Sequence, residues 1–316
     1  MRILIMGAGA LGSVVGGFMA KAGHAVTLVG RALHMDAIAN GGLHITGIWG
    51  EHHVLHLATA TGLDGLARGD FDVIVITVKS YDTAAAAAAI APLCGDATLV
   101  CAYQNGLGNI ETIAAAVGAA RTVGVRAIYG TRVTQPGHVA VTVIASPTAL
   151  GVIAPDAPAD RVRALAEAMN GAGLPTVYSE SIMTVLWAKV AYNSALNPLS
   201  ALLDVPYGAL PELTETRAMM DAAIDELYAV AQAMQVPLEP ATAAAYRTLF
   251  YETLVPPTAA HYASMREDFL HRRRTEIDAL NGAIVRFGES FGVPCPVNLM
   301  LTRLVKAREG FYGRPA

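Results

Sequence analysis

Arg2-Ile-Leu-Ile-Met6-Gly7-Ala8-Gly9-Ala10-Leu11-Gly12 is the stretch from which the fold can be read. Its first residues form a short apolar run of the kind found in a strand buried on both faces. The run enters G-x-G-x-x-G, and a helix-like segment follows as far as Gly23. A second strand, Ala25-Val-Thr-Leu-Val29, comes next at the distance a βαβ unit requires. Gly7 allows the tight turn, Gly9 lets the backbone approach a pyrophosphate, and Gly12 lets the helix lie close to the strand. The helix N-terminus adds oriented N–H donors. A lone glycine turn is a weak signal, but its place between a first strand and a helix favours dinucleotide binding over a purely structural turn. The second strand ends Val29-Gly30-Arg31, with no Asp or Glu before Asp36. An acidic residue there would accept from the ribose 2′-OH of NAD, whereas Arg31 presents a planar fork suited to a 2′-phosphate. NADP(H) is therefore favoured, against a plain solvated loop arginine.

The 316 residues exceed one ordinary domain, and two domains are expected. With 53% hydrophobic and 15% charged residues, much of the chain must be core. A formal charge of -4 gives no electrostatic case for nucleic acid or an anionic membrane. Cys94, Cys101 and Cys295 form neither a paired framework nor a C-x-x-C, which fits thiols in a reducing compartment. Ala20-Lys21-Ala22 imitates a signal-peptidase site, yet five glycines between Gly7 and Gly17 argue against the helical core of a leader. No other run is long and uncharged enough to span a bilayer, so a cytoplasmic location is expected.

Outward from the first unit, residues 40–60 alternate weakly around glycines and predict a β-hairpin. His52, His53 and His56 fall there, but a strand puts the first two on opposite faces, so solvated histidines are preferred to zinc ligands. Phe71–Lys79 and Thr98–Tyr103 read as further buried strands, with an alanine-rich helix over 84–89 between them. They deliver Lys79 and Asn105 to C-terminal strand ends, where open α/β sheets bind ligands and the nicotinamide end of a cofactor would lie. Two or three more strands are expected over 122–153, around the turn Gln135-Pro-Gly137.

Beyond about residue 177 strand signals fade and helical periods run to residue 310. Trp187-Ala-Lys189-Val-Ala-Tyr-Asn193-Ser-Ala-Leu-Asn197-Pro-Leu-Ser-Ala-Leu-Leu203 reads as a helix apolar nearly all round. Lys189, Asn193 and Asn197 are spaced i, i+4, i+8 and share roughly 80° of one face. A cation and two amides on a buried stripe are costly without polar partners. Either the protein supplies those partners, as a structural network, or a ligand does. Further on, His271–Arg274 is basic but balanced by Glu267, Asp268 and Glu276, which fits a solvated face. A carboxylate such as Glu276 facing Lys189 would hold its ammonium charged and in place.

These pieces together resemble the ketopantoate reductase (2-dehydropantoate 2-reductase) family over nearly the whole chain. The resemblance rests on Gly7–Gly12, Val78-Lys79, Gln104-Asn105-Gly-Leu-Gly108, Trp187–Asn193 with Asn197-Pro198-Leu199, and Ser264-Met265 followed by Arg274-Thr-Glu276-Ile-Asp278. It implies an α/β fold: a Rossmann-like domain with a mainly parallel sheet over 1–178, then an all-helical domain over 179–316. It also implies NADPH-dependent reduction of a 2-keto acid. On that resemblance Lys189 is the general acid and Asn193 and Asn197 are substrate amides. Ser264 contacts the substrate carboxylate, Glu276 partners substrate or cofactor ribose, and Lys79 and Asn105 lie at the nicotinamide end, with Asn105 also near substrate. The chain departs at Tyr207, where some members carry a substrate-binding asparagine. Ketopantoate leads as substrate, with pantoate for coenzyme A synthesis as the product's use. Another branched 2-keto acid, its reductive amination, and a non-catalytic NADP sensor stay open. Helical second domains can pair between chains, which leaves a homodimer open as well.

Overall fold

Two kinds of hydrophobic pattern build two kinds of layer in the computed structural model, which describes residues 1–312. By packing, the chain divides into Met1–Asn105 with Asn109–Ile182, and Gly106–Gly108 with the chain from Met183 onward.

The first unit runs β1 (Arg2–Met6), α1 (Ala10–Lys21), β2 (Ala25–Val29), α2 (Ala32–Gly41), β3 (Leu43–Gly47), β4 (His52–Val54), β5 (Ala58–Ala60) and β6 (Val73–Ile76). It continues with α3 (Thr83–Ile90), β7 (Leu99–Ala102), α4 (Asn109–Val117), β8 (Thr122–Gln135), β9 (His138–Val152), α5 (Ala159–Gly171) and β10 (Thr176–Tyr178). The strands form one sheet in the order β4-β3-β9-β8-β7-β6-β1-β2-β5, with β10 beside β9. It is parallel except for the β3–β4 hairpin and the long β8–β9 hairpin. Ile3, Leu4, Ile5, Ile74 and Val100 are almost wholly buried, which is why these short strands read as continuous apolar runs. β1 pairs with β2 on one side and β6 on the other. That reversal of strand order opens a crevice at the C-terminal end of β1.

The hairpin expected over 40–60 is β3–β4, and the strands around Gln135-Pro-Gly137 are β8 and β9. The histidines of this region do more than meet solvent. His52 packs its ring edge on Phe18 at 5.1 Å, while His53 stacks on His44 at 4.0 Å and His44 on His138 at 4.3 Å. Partial burial and then the neighbouring imidazoles hold His44 below the usual histidine range. Among the described residues no group of three or more His, Cys, Asp or Glu side chains could hold a metal ion.

The second unit is helical: α6 (Ile182–Leu203), α7 (Thr214–Ala233), α8 (Ala243–Leu249), α9 (Ser264–Leu270), α10 (Asn281–Phe291) and α11 (Pro296–Gly310), joined by short 3-10 and π turns. α6 begins more than a turn before Trp187. Being apolar all round it belongs inside its unit, and Trp187, Val190, Ala191, Ala195 and Leu196 are buried there with Met220, Leu227, Phe250 and Ile284. α7, α10 and α11 pack on one another. The N-terminus of α11 is closed by Glu226, whose carboxylate accepts from the backbone N–H of Val297 and Asn298 at 2.8 and 2.9 Å. No helix among the described residues is long and apolar enough to cross a membrane.

Candidate active site

The glycine turn of the first unit is shaped by three different constraints. Gly7 has φ +104°, and a Cβ there would lie 2.6 Å from the backbone N of Val78. A Cβ on Gly12 would meet Thr77 Oγ1 at 2.5 Å and Ile5 at 2.8 Å, so α1 lies against β1 and the end of β6. A Cβ on Gly9 would meet nothing nearer than the Gly7 carbonyl at 4.0 Å. Gly9 is exposed at the N-cap of α1 and faces open space. The N–H groups of Gly7 and Ala8 both donate to Val29 O, at 3.0 and 2.8 Å, and tie the turn to β2. The first bond of α1 runs from Ser13 N to Gly9 O. The N–H groups of Ala10, Leu11 and Gly12 precede it and have no acceptor within the helix. Three donors, a positive helix end and a position without a side chain make an anion cradle that fits a pyrophosphate.

Arg31 is exposed at the N-cap of α2, directly after β2, and no acidic side chain among the described residues pairs with it. Behind it, Ser13 Oγ and His34 Nε2 are 3.0 Å apart, and His34 Nδ1 accepts from Gly137 N. Burial holds His34 below its usual range, so the imidazole is neutral and locks α1 to α2.

Lys79 follows β6 and Asn105 follows β7, both half-buried. The loop of Asn105 is held by a buried relay: Gln104 Nε2 donates to Thr83 Oγ1, Thr83 Oγ1 donates to Asn109 Oδ1, and Asn109 Nδ2 donates to Asn105 O, at 2.8, 2.8 and 2.9 Å. Sequence reasoning missed Thr83 and Asn109. Their only signal is a polar residue on the buried side of each helix start, which acquires meaning once the strands are paired.

In the second unit the stripe lies along α6 as expected. Lys189 and Asn193 are half-buried and Asn197 is buried. The Asn193 side chain makes no hydrogen bond to a described residue. Asn197 makes one, accepting at Oδ1 from the Tyr207 hydroxyl at 2.6 Å. Pro198 lies inside the helix and cannot donate to the Ser194 carbonyl. Asn281 Nδ2, fully buried at the start of α10, donates to that carbonyl at 2.9 Å instead. The helix thus continues through the proline with its backbone satisfied. Ser264 is exposed as the first residue of α9. Glu276 is half-buried just before the 3-10 turn Ile277–Ala279. That segment is anchored on both sides: Thr275 N–H and hydroxyl donate to Glu309, and Asp278 pairs with Lys306 and Arg274. Burial alone would raise the Asp278 carboxyl, but hydrogen bonds and charge from Lys306 and Arg274 outweigh it and keep the group ionised. The Leu107 N–H donates to Ala279 O at 2.7 Å, next to Gly106, where a Cβ would clash with the same carbonyl.

A strand-turn-helix anion cradle followed by a helix bearing lysine and two amides is a pairing with known relatives. Residues 3–155 match the family described as ketopantoate reductase PanE/ApbA, and residues 181–309 match its C-terminal counterpart. The 2-dehydropantoate 2-reductase of Aquifex aeolicus is 38% identical over 311 residues, covering 98% of both chains. The chain belongs to the ketopantoate reductase family. As a member of that family it is an oxidoreductase, and the family's reductases depend on a dinucleotide. Among solved structures, a PanE/ApbA family ketopantoate reductase from Ralstonia eutropha JMP134 superposes with a TM-score of 0.86 at 32% identity, covering 98% of this chain and 99% of that one. A D-mandelate dehydrogenase bound to NADH and anilino(oxo)acetate also gives 0.86, at 28% identity and 98% coverage of each chain.

Proposed function

We propose that the protein reduces 2-dehydropantoate to pantoate with NADPH, as a step towards pantothenate and coenzyme A. The observation that carries this reading is the α6 stripe. Asn193 has no side-chain partner among the described residues, and Asn197 has one only at its carbonyl oxygen. Polar groups kept on an otherwise apolar helix need partners, and here they are left to water or a ligand.

In this reading residues 1–178 bind the cofactor and residues 179–316 bind the substrate. Gly7, Ala8, Gly9, Ala10, Leu11 and Gly12 receive the pyrophosphate, and Arg31 takes the 2′-phosphate. Lys79 and Asn105 serve the nicotinamide end. NADPH, when bound, supplies the hydride that reaches the keto carbon. Lys189 then stabilises the developing alkoxide and gives it a proton, which the amine recovers from water. Glu276 holds the ammonium charged before the transfer and also contacts substrate or the cofactor ribose. Asn193, Asn197 and Ser264 orient the keto acid.

A second reading keeps the chemistry and changes the acid. Tyr207 supports it, as does the likeness to a D-mandelate dehydrogenase whose ligand, anilino(oxo)acetate, is a 2-oxo acid with an aromatic side. A panel of 2-keto acids, ketopantoate and phenylglyoxylate included, separates the two when NADPH oxidation is followed for wild type, Lys189→Ala and Arg31→Ala. Lys189→Ala is expected to keep cofactor affinity and lose about 10³-fold in kcat or more, since it removes both a general acid and an electrostatic stabiliser. Unchanged turnover would remove Lys189 from the mechanism. Arg31→Ala is expected to weaken NADPH binding about tenfold or more while NADH is little affected. NADPH binding with no turnover of any acid would point to a sensor.

A further inference from the structure

The Tyr207 hydroxyl donates to the carbonyl oxygen of the proposed substrate amide Asn197. Tyr207 is 4% exposed and starts the 3-10 turn Tyr207–Glu212, with its N–H bonded to His261 O at 2.9 Å. Its ring is held edge-on by Tyr192 at 5.9 Å and His261 at 5.3 Å. Burial and the neighbouring Tyr192 phenol push its pKa far above the ordinary range, so the group is a neutral hydroxyl with a proton to give. That proton goes to Asn197 Oδ1 at 2.6 Å, while Asn197 Nδ2 donates to no described residue.

We propose that Tyr207 is a specificity-positioning residue: it supplies the Asn197 carbonyl oxygen with a donor and fixes which way the amide faces, so the enzyme does not select strongly for a donor hydroxyl on the keto acid side chain. This rests on the reading of Asn197 as a substrate amide. The physical reason lies in what a missing hydroxyl leaves behind. A site that depends on a substrate O–H rejects the deoxy analogue strongly, because the analogue strands a buried acceptor without its partner. Here the acceptor is already paired inside the protein. An acid lacking the hydroxyl strands nothing at Oδ1, and only the modest cost of a lost contact remains.

The test compares ketopantoate with 3,3-dimethyl-2-oxobutanoate, which lacks only the hydroxyl. Wild type is expected to favour ketopantoate by less than about tenfold in kcat/KM. Tyr207→Phe leaves Oδ1 without its protein donor and dependent on the substrate hydroxyl, and the preference is expected to rise at least tenfold, through KM for the deoxy acid more than through kcat. Tyr192→Phe removes a hydroxyl from the same aromatic cluster, one bonded to Thr258 and not to Asn197, and should leave the ratio unchanged. The proposal is overturned by a wild-type preference above about 10³, or by an unchanged ratio in Tyr207→Phe. It is equally overturned by a Tyr192→Phe shift as large as that of Tyr207→Phe. A turnover-independent readout keeps this separate from the functional reading. The Asn197 side-chain NH2 resonances of the NADPH complex should be sharp in wild type and broadened by amide flipping in Tyr207→Phe. Loss of turnover on both acids with that broadening present would sink ketopantoate reduction and leave the amide lock standing. Sharp, unmoved resonances in Tyr207→Phe would sink the lock itself.

Discussion

The glycine turn and the α6 stripe solve opposite problems. The turn offers backbone N–H groups, and Gly7 and Gly12 lack side chains because a Cβ at either would clash. The stripe offers side chains, and its backbone is completed by Asn281 where Pro198 removes a helical bond. A motif of the first kind is defined by what each Cβ would meet, whereas one of the second kind is defined by which polar atoms remain unanswered. The two should therefore fail differently when mutated.

The largest expected effect separates two glycines of the same turn. Gly7→Ala places a side chain at φ +104° and drives its Cβ to 2.6 Å from the Val78 backbone. Left-handed strain costs about 1–2 kcal/mol, and the clash adds to it. A loss of about 3 kcal/mol is expected, seen as a fall in the melting temperature of roughly 6–12 °C for a unit of this size. Gly9→Ala instead adds a Cβ at an extended, exposed position that meets nothing. Its stability should stay within about 1 kcal/mol of wild type, while the proposed cradle predicts weaker NADPH binding, because the methyl group would stand where a pyrophosphate would approach. Equal destabilisation by both substitutions would mean that Gly9 is structural and that the cradle is wrongly assigned.

This contrast also explains what could be read before the fold was known. The spacing of Gly7, Gly9 and Gly12 is legible within one strand-turn-helix unit, and the periodicity of α6 is local in the same way, although Gly7 and Gly12 make their close approaches to Val78 and Thr77, far along the chain. Lys189, Asn193 and Asn197 therefore emerged as one face from the chain alone. Thr83, Gln104 and Asn109 meet across 21 to 26 residues, and Asn281 reaches Ser194 across 87. No spacing rule connects such pairs, because strand order and helix packing decide them. Tyr207 falls between these cases. Its place ten residues after Asn197 was legible as a departure, but the direction of its hydroxyl was not.

The smallest of these effects tests the repair in α6. Asn281→Ala leaves the Ser194 carbonyl without a donor, because Pro198 has no N–H to offer, and strands Asn298 Oδ1 as well. One or two buried unpaired acceptors should cost about 2 kcal/mol in chemical denaturation. A double-mutant cycle isolates the part due to the proline. Pro198→Ala restores an N–H that can close the helical bond to Ser194, so Asn281→Ala should cost about 1 kcal/mol less in that background. Additivity within about 0.5 kcal/mol would show that Asn281 stabilises only its own neighbour Asn298 and does nothing for the helix. Coupling of the expected sign would tie the position of the amide stripe to a residue that never touches substrate.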